Sequence, residues 1–241
     1  WIYFLGSLGM VPSFFEILTS HTEPREVSGI PIFSVEEPIL RAWNRRIKRG
    51  MDILLSLGII AVTFPVWMSA ALAIRLESPG SVLFRQRRMG KGEKYFDMFK
   101  FRSMTEGAEE LRKDLQDLNE AQGPIFKIRE DPRMTIVGRW IRRWSIDELT
   151  QLINVINGEM SLVGPRPYPI TESEQFDTFE RRRYDALPGI TGLAQVSGRS
   201  DLETDEILRL DLYYIENWSI GLDIQILLKT LPAVFTRRGA Y

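Results

Sequence analysis

Hydrophobic and polar positions divide this chain into three regimes. Residues 1–40 open on an apolar run, "WIYFLGSLGMVPSFF", and reach "GIPIFSV", which reads as the last strand of something upstream. Residues 41–50, "RAWNRRIKRG", carry five basic side chains. Ile53 to Ile74, "ILLSLGIIAVTFPVWMSAALAI", then gives 22 residues without a charge. A straight helix of that length reaches the thickness of a bilayer core, about 30 Å. The alternative is a buried core helix; the uncharged length favours the membrane.

Basic residues prefer the cytoplasmic side of a membrane. Here both flanks are basic, with Arg45, Arg46, Lys48 and Arg49 before the run and Arg75, Arg85, Arg87, Arg88, Lys91 and Lys94 after it. A spanning helix puts one flank outside; a helix that enters, turns and leaves on the same side satisfies both. Pro65 near the middle lacks an N–H and clashes with the turn before it. The reading preferred over a Pro-kinked spanning helix is a re-entrant helix pair broken at Pro65. Thr63, Ser56 and Ser69 offer hydroxyls to the freed backbone.

The remainder alternates between short patterns. "SVLFRQRRMGKGEKYFDMFKFRSM" predicts two strands around a Gly-rich turn. Lys100 and Arg102, two apart on the second strand, share a face, either as solvated cations or as a cationic wall for a phosphate. A charged amphipathic helix follows, from Thr105 to Gly123. In "DPRMTIVGRWIRRW" a basic helix carries Trp140 and Trp144 on one face with Ile141 beside them. That suits a membrane interface, or a core face with a solvated back. The apolar positions Ile146, Leu149, Leu152, Ile153 and Ile156 recur with helical period and stop at Gly158. The last part predicts two helices, Leu202 to Trp218 and about Ile220 to Phe235. The fold class expected is α+β, mainly helical, with a small β-hairpin and interfacial amphipathic helices around the active site.

Composition narrows the chemistry. Of 241 residues, 44% are apolar, enough for a sizeable core. The net charge of -1 gives no global field, and no nucleic-acid partner is expected. Without cysteine there is no thiolate metal site and no Cys nucleophile. The single histidine, His21, lies in a polar stretch and reads as solvated. Acid–base and metal chemistry therefore fall to Asp and Glu.

The carboxylates that stand out are Asp147 and Glu148 in "SIDELTQLINVINGEMSLVGPRP". They open a helix, where N–H groups and the dipole favour anions. Ser145 with Glu148 three residues later also fits a capping box, so Glu148 either folds back to Ser145 or faces a ligand. Arg166 lies between Pro165 and Pro167, a backbone restricted on both sides and suited to a fixed grip on phosphate. "LPGITGLAQVSGRSD", with Gln195 and Arg199, reads as a polar site-bearing loop.

Taken in order, "KRGMD" before a Pro-bearing apolar run, "SPGSVLFRQRRMG", "KFRSM", "DPRMTIVGRWIRRWSIDELTQLINVINGEMSLVGPRP" and "PGITGLAQVSGR" resemble the bacterial sugar transferase family. These are the monotopic polyprenyl-phosphate phosphoglycosyl transferases. The tail "KTLPAVFTRRGAY" is similar to the undecaprenyl-phosphate galactose phosphotransferase branch. The resemblance implies three parts: residues 1–42 as the end of an upstream nucleotide-fold-like domain plus linker, 43–76 as the re-entrant membrane helix, and 77–241 as the cytoplasmic catalytic domain.

It also implies transfer of a hexose-1-phosphate, galactose or glucose, from a UDP-sugar to undecaprenyl phosphate. UMP is released at the cytoplasmic face of the bacterial inner membrane, in O-antigen, capsule or exopolysaccharide synthesis. By motif, Asp147 is the nucleophile and Glu148 its partner, both near a magnesium ion. Lys100, Arg102, Arg166, Arg199 and Gln195 line the phosphate site. A homo-oligomer is compatible with this reading. The family's helix commonly breaks at Ser-Pro, where this chain has Phe64-Pro65. The rival expectations are a membrane-anchored, non-catalytic assembly protein and a nucleotide-sugar hydrolase.

Overall fold

The computed structural model describes residues 22–27, 30–35, 42–108, 110–112, 115, 128, 131–198 and 204–235. The chain divides into two units, residues 1–39 and 40–241. In the first, strands β1 (Thr22–Val27) and β2 (Ile30–Val35) form an antiparallel hairpin, so "GIPIFSV" does contain a strand.

The second unit begins with helix α1, Ala42–Glu77. The interruption expected at Pro65 is absent: a single helix runs through it. An interior proline costs about 3 kcal/mol, but packing holds the helix on both sides of it. Asp52 and Ser56 before Pro65, and Ala70 and Ile74 after it, are buried, with Ile60 and Trp67 partly buried between them. Their three- and four-residue spacing, with one step of seven across Pro65, makes one stripe. Trp67 meets Phe101 edge to face at 5.8 Å. The opposite faces leave Leu54, Val62, Phe64, Met68, Leu72 and Leu76 exposed. Thr63 and Ser69 do turn their hydroxyls onto the helix backbone, at Ile59 O (2.7 Å) and Pro65 O (2.8 Å). The Ser56 hydroxyl is buried without a partner among the described residues.

The segment "KRGMD" fastens α1 to the rest of the unit. Lys48 Nζ donates to Val163 O (3.1 Å) and pairs with Asp223 (2.6 Å). The Arg49 guanidinium donates to Val155 O and to Ile156 O. The Asp52 carboxylate accepts from Ser161 Oγ (2.8 Å) and Leu162 N (3.1 Å).

Strands β3 (Leu83–Met89) and β4 (Tyr95–Phe101) form the expected hairpin, turning through Gly92 at φ 62°. The helix expected from Thr105 to Gly123 falls largely outside the described residues. Helix α2 (Ile136–Arg143) is capped by Thr135 and by the Glu77 carboxylate, which accepts from Ile136 N at 2.6 Å. It points Ile136 and Trp140 outward and Ile141 inward, and Trp144 packs against the cluster that holds Ile141, so the two tryptophans do not share a face. A 3-10 turn, Ile146–Thr150, runs into α3 (Gln151–Asn157), which ends at left-handed Gly158.

Strands β5 (Ser161–Val163) and β6 (Gly189–Thr191) pair in parallel. At three residues each they are too short for an alternating pattern to show in the sequence. Their backbones approach so closely that a Cβ on Gly189 would lie 2.1 Å from Gly164 N. Short helices α4 (Ile170–Ser173) and α5 (Leu193–Ser197) flank β6. Helices α6 (Thr204–Glu216) and α7 (Ile220–Phe235) close the unit, as predicted. The main core gathers Phe96 and Met98 of β4, Leu152 and Val155 of α3, Met160, Leu162 and Val163, and Tyr214 and Ile226.

Candidate active site

Asp147 and Glu148 sit where α2 gives way to the 3-10 turn. Ser145 does not cap that turn. It adopts a left-handed conformation, φ 53° and ψ 24°, and makes no side-chain cap bond. Its N–H bonds to Arg142 O at 3.0 Å. It thus takes the place that glycine usually holds after a helix C-cap, and the chain has no room for a β-region N-cap before Ile146. A non-glycine left-handed residue is uncommon outside turns and sites. It reverses the chain and delivers the two carboxylates to the next turn.

Glu148 therefore does not fold back to Ser145. Its Oε1 accepts from Arg166 Nη2 at 2.7 Å and from Lys100 Nζ at 3.3 Å. Lys100 comes from β4, paired with Phe84 of β3. Arg166 comes from the loop after β5. The Arg166 side chain is 44% exposed, against 22% for Glu148 and 20% for Lys100, so the site opens on the arginine side.

Asp147 is more enclosed, at 6% exposure. Its carboxylate accepts no hydrogen bond from the described residues; only its backbone carbonyl is used, by Thr150 Oγ1 at 3.2 Å. Burial pushes Asp147 up to about 6; Lys100 opposes the rise and Glu148 adds to it. Burial acts on Glu148 in the same sense. There Arg166 and then Lys100 outweigh it and hold the carboxyl well below its usual range. Burial also lowers the Lys100 ammonium, against the pull of both carboxylates. Glu148 is thus a committed anion between two cations, and Asp147 is a carboxylate with free lone pairs.

Two contributors escaped the sequence reading. Arg142 of α2 acts electrostatically on Asp147; its spacing, three residues before Ser145 on a basic helix, was the available signal. Asn154 of α3 donates to Asp97 O (2.7 Å) and accepts from Phe99 N (3.0 Å). It ties strand β4, and so Lys100, to the helix that follows the dyad. No local pattern announces such a cross-element bond.

Arg102 and Gln195 make their described contacts elsewhere. Arg102 lies one residue past strand β4, its N–H still bonded across the hairpin to Val82 O at 2.9 Å. The Arg102 guanidinium instead donates to Pro79 O (2.5 Å) and Ser78 O (2.8 Å), just past the end of α1. Gln195 lies on α5, its amide buried without a partner among the described residues and near Gly192. No described contact joins it to the dyad. Arg199 lies outside the described residues.

Among the described residues no three Asp, Glu, His or Cys side chains converge on a metal position. The donor set nonetheless fits magnesium, which uses one or two carboxylates and completes its shell with water and substrate phosphates.

Residues 43–237 match the family described as "Bacterial sugar transferase". A galactosyl transferase, CpsE of Streptococcus agalactiae, is 47% identical over 162 residues, 67% of this chain and 36% of that protein. The UDP-glucose:undecaprenyl-phosphate glucose-1-phosphate transferase of Escherichia coli is 36% identical over 243 residues, 98% of this chain and 50% of its own length. The undecaprenyl-phosphate galactose phosphotransferase of Salmonella typhimurium is 36% identical over 245 residues, with the same two shares. The chain thus spans about half or less of these three relatives. With the dyad, its two cations and the apolar helix in place, the chain belongs to the bacterial sugar transferase family.

Proposed function

We propose that this chain transfers a hexose-1-phosphate from a UDP-sugar to undecaprenyl phosphate, with Asp147 as covalent nucleophile. The observation that carries the reading is the division within the dyad. Asp147 is buried with its carboxylate unpartnered, beside a Glu148 held by Arg166 and Lys100. Names of relatives support the substrate classes: UDP-glucose and undecaprenyl phosphate for one, a galactose phosphotransferase for another.

An Asp147 carboxylate oxygen attacks the sugar-bearing phosphorus of the donor. The bond from that phosphorus to the bridging oxygen breaks, and UMP leaves with the electron pair. The resulting acyl phosphate splits one difficult transfer into two. A lipid phosphate oxygen then attacks the same phosphorus, forming the diphosphate-linked product and restoring the carboxylate. Arg166 and Lys100 face the incoming phosphate charge, and Glu148 keeps both cations in place when no donor is bound. Asp147 and Glu148 would hold magnesium, which supplies charge neutralisation on the diphosphate.

The chain works from one side of the membrane, the cytoplasmic face of the bacterial inner membrane. Three observations support the one-sided seating. Helix α1 rests on the same unit on both sides of Pro65. Its remaining faces are exposed and apolar, as are Ile136 and Trp140 of α2 and Ile224, Leu228 and Leu231 of α7. Arg139 and Arg143, beside Trp140, are also exposed, a mixture suited to an anionic lipid surface. The pathway is O-antigen, capsule or exopolysaccharide synthesis.

The test is UMP release from UDP-galactose and UDP-glucose, with and without undecaprenyl phosphate. The reading predicts multiple turnovers only with the lipid, and a lipid-linked sugar product. Sustained release without a lipid product means a hydrolase. No release from any UDP-sugar means a non-catalytic protein.

A further inference from the structure

The loop that presents Arg166 is held in an unusual way. Pro165 and Pro167 have no N–H, so the loop has few donors of its own. It is held by its carbonyls, three in a row, each from a different element. Gly189 N of β6 donates to Pro165 O at 2.8 Å. Arg183 Nη2 donates to Arg166 O at 2.7 Å. Arg88 Nη1 of β3 donates to Pro167 O at 2.9 Å.

Of these donors, Arg183 bears on Arg166 itself. It lies in a 3-10 segment, Glu180–Asp185, and is 2% exposed. The nitrogen that holds Arg166 O also pairs with Asp211 of α6 at 2.6 Å. The guanidinium lies over Tyr168, 4.3 Å from the ring centroid, and near Phe176 at 5.5 Å. Charge, stacking and burial together leave it little freedom. Backbone on one side and Glu148 on the other then define where the Arg166 guanidinium sits.

We propose that Arg183, anchored by Asp211, is a positioning residue that sets the Arg166 guanidinium at the dyad through the Arg166 backbone carbonyl. This rests on the reading of Arg166 as a ligand of the donor phosphates. No described contact joins Arg183 to the dyad. A lysine at 183 keeps the charge against Asp211, but its compact ammonium lacks the planar guanidinium that lies over Tyr168 and fixes the direction of the nitrogen shared by Asp211 and Arg166 O.

The test is a double-mutant cycle on UMP release, with UDP-galactose or UDP-glucose as donor and undecaprenyl phosphate present. The four proteins are wild type, Arg183→Lys, Arg166→Lys and the double variant. The unfolding midpoint of each is measured alongside. The expected result is a loss of about tenfold in kcat/KM for Arg183→Lys alone, and less than about twofold for the same change in the Arg166→Lys background. Asp211→Asn, which loosens the anchor and leaves Arg183 in place, gives the same dependence on Arg166 and serves where Arg183→Lys does not fold. Equal losses in both backgrounds, or no loss at all, overturn the proposal. A wild type that releases no UMP overturns the functional reading and the proposal with it. A wild type with additive variants overturns the proposal alone.

Discussion

Arg166 and Glu148, eighteen positions apart in sequence, meet at 2.7 Å, and the neighbouring Asp147 carboxylate has no such partner among the described residues. The two acids of "SIDEL" therefore differ in kind. One is neutralised by cations; the other keeps its lone pairs. Removing Arg166 leaves Glu148 with Lys100 alone. Arg166→Ala is expected to cut kcat/KM for UMP release by about 100-fold, a usual cost of deleting one charge-stabilising donor. Arg166→Lys should cost less. Equal activity in Arg166→Ala means that the pair is ornamental.

Arg102 is a control for that prediction. Its guanidinium is spent on the carbonyls of Ser78 and Pro79, so Arg102→Ala should lower the unfolding midpoint and leave KM for the UDP-sugar within about twofold. The buried hydrogen bonds lost cost about 1–3 kcal/mol. A large rise in KM with unchanged stability would return Arg102 to the phosphate site.

Asn154 is fully buried and satisfies one N–H and one C=O on strand β4. Asn154→Ala leaves both without a partner. The expected cost is about 2 kcal/mol of stability, together with weaker UMP release as Lys100 loses its register against Glu148. Chemical denaturation and kinetics on the same preparation check both. Lost stability with intact kinetics would separate Asn154 from the site.

Legibility in the sequence followed the range of each interaction. The apolar run Ile53–Ile74 was readable because one long helix needs no partner to declare itself. The β3–β4 hairpin and helix α7 were readable from local period and turn residues. Continuity through Pro65 was not, since it depends on packing on both sides of the proline. Ser145 was misread because "S-x-x-E" looks the same whether the serine opens a helix or, left-handed, ends the one before. Strand spacing also could not show that the Arg102 guanidinium turns to the carbonyls of Ser78 and Pro79, 24 and 23 positions away. Lys100 and Arg166 stood out in the sequence as cations on a strand and a Pro-bounded turn, but that both meet Glu148 did not. Asn154, Arg183 and Arg88 act on distant backbone groups, which leave no trace in side-chain spacing.

Asp211 offers a pH signature away from the dyad. Burial raises its carboxyl to about 6, although Arg183 opposes the rise. The unfolded chain has the ordinary value near 3.8. The folded protein therefore holds a proton that the unfolded chain has lost between those values. Its stabilising effect is full below about 4 and is lost as pH rises through about 6, on the order of 1 kcal/mol per pH unit. The unfolding midpoint of wild type should fall relative to Asp211→Asn across that window. A gap that stays constant with pH, or widens in favour of wild type as pH rises, contradicts the assignment.

The central claim is the covalent role of Asp147, and the intact mass of the protein after incubation with a UDP-sugar and magnesium, without lipid acceptor, tests it most directly. Wild type should gain one hexose-phosphate and release one equivalent of UMP, and undecaprenyl phosphate should then discharge the adduct. Asp147→Asn should show neither change, while Arg102→Ala should show both. An adduct that forms as well on Asp147→Asn, or a wild type that turns over with no adduct under conditions that trap one, contradicts the account.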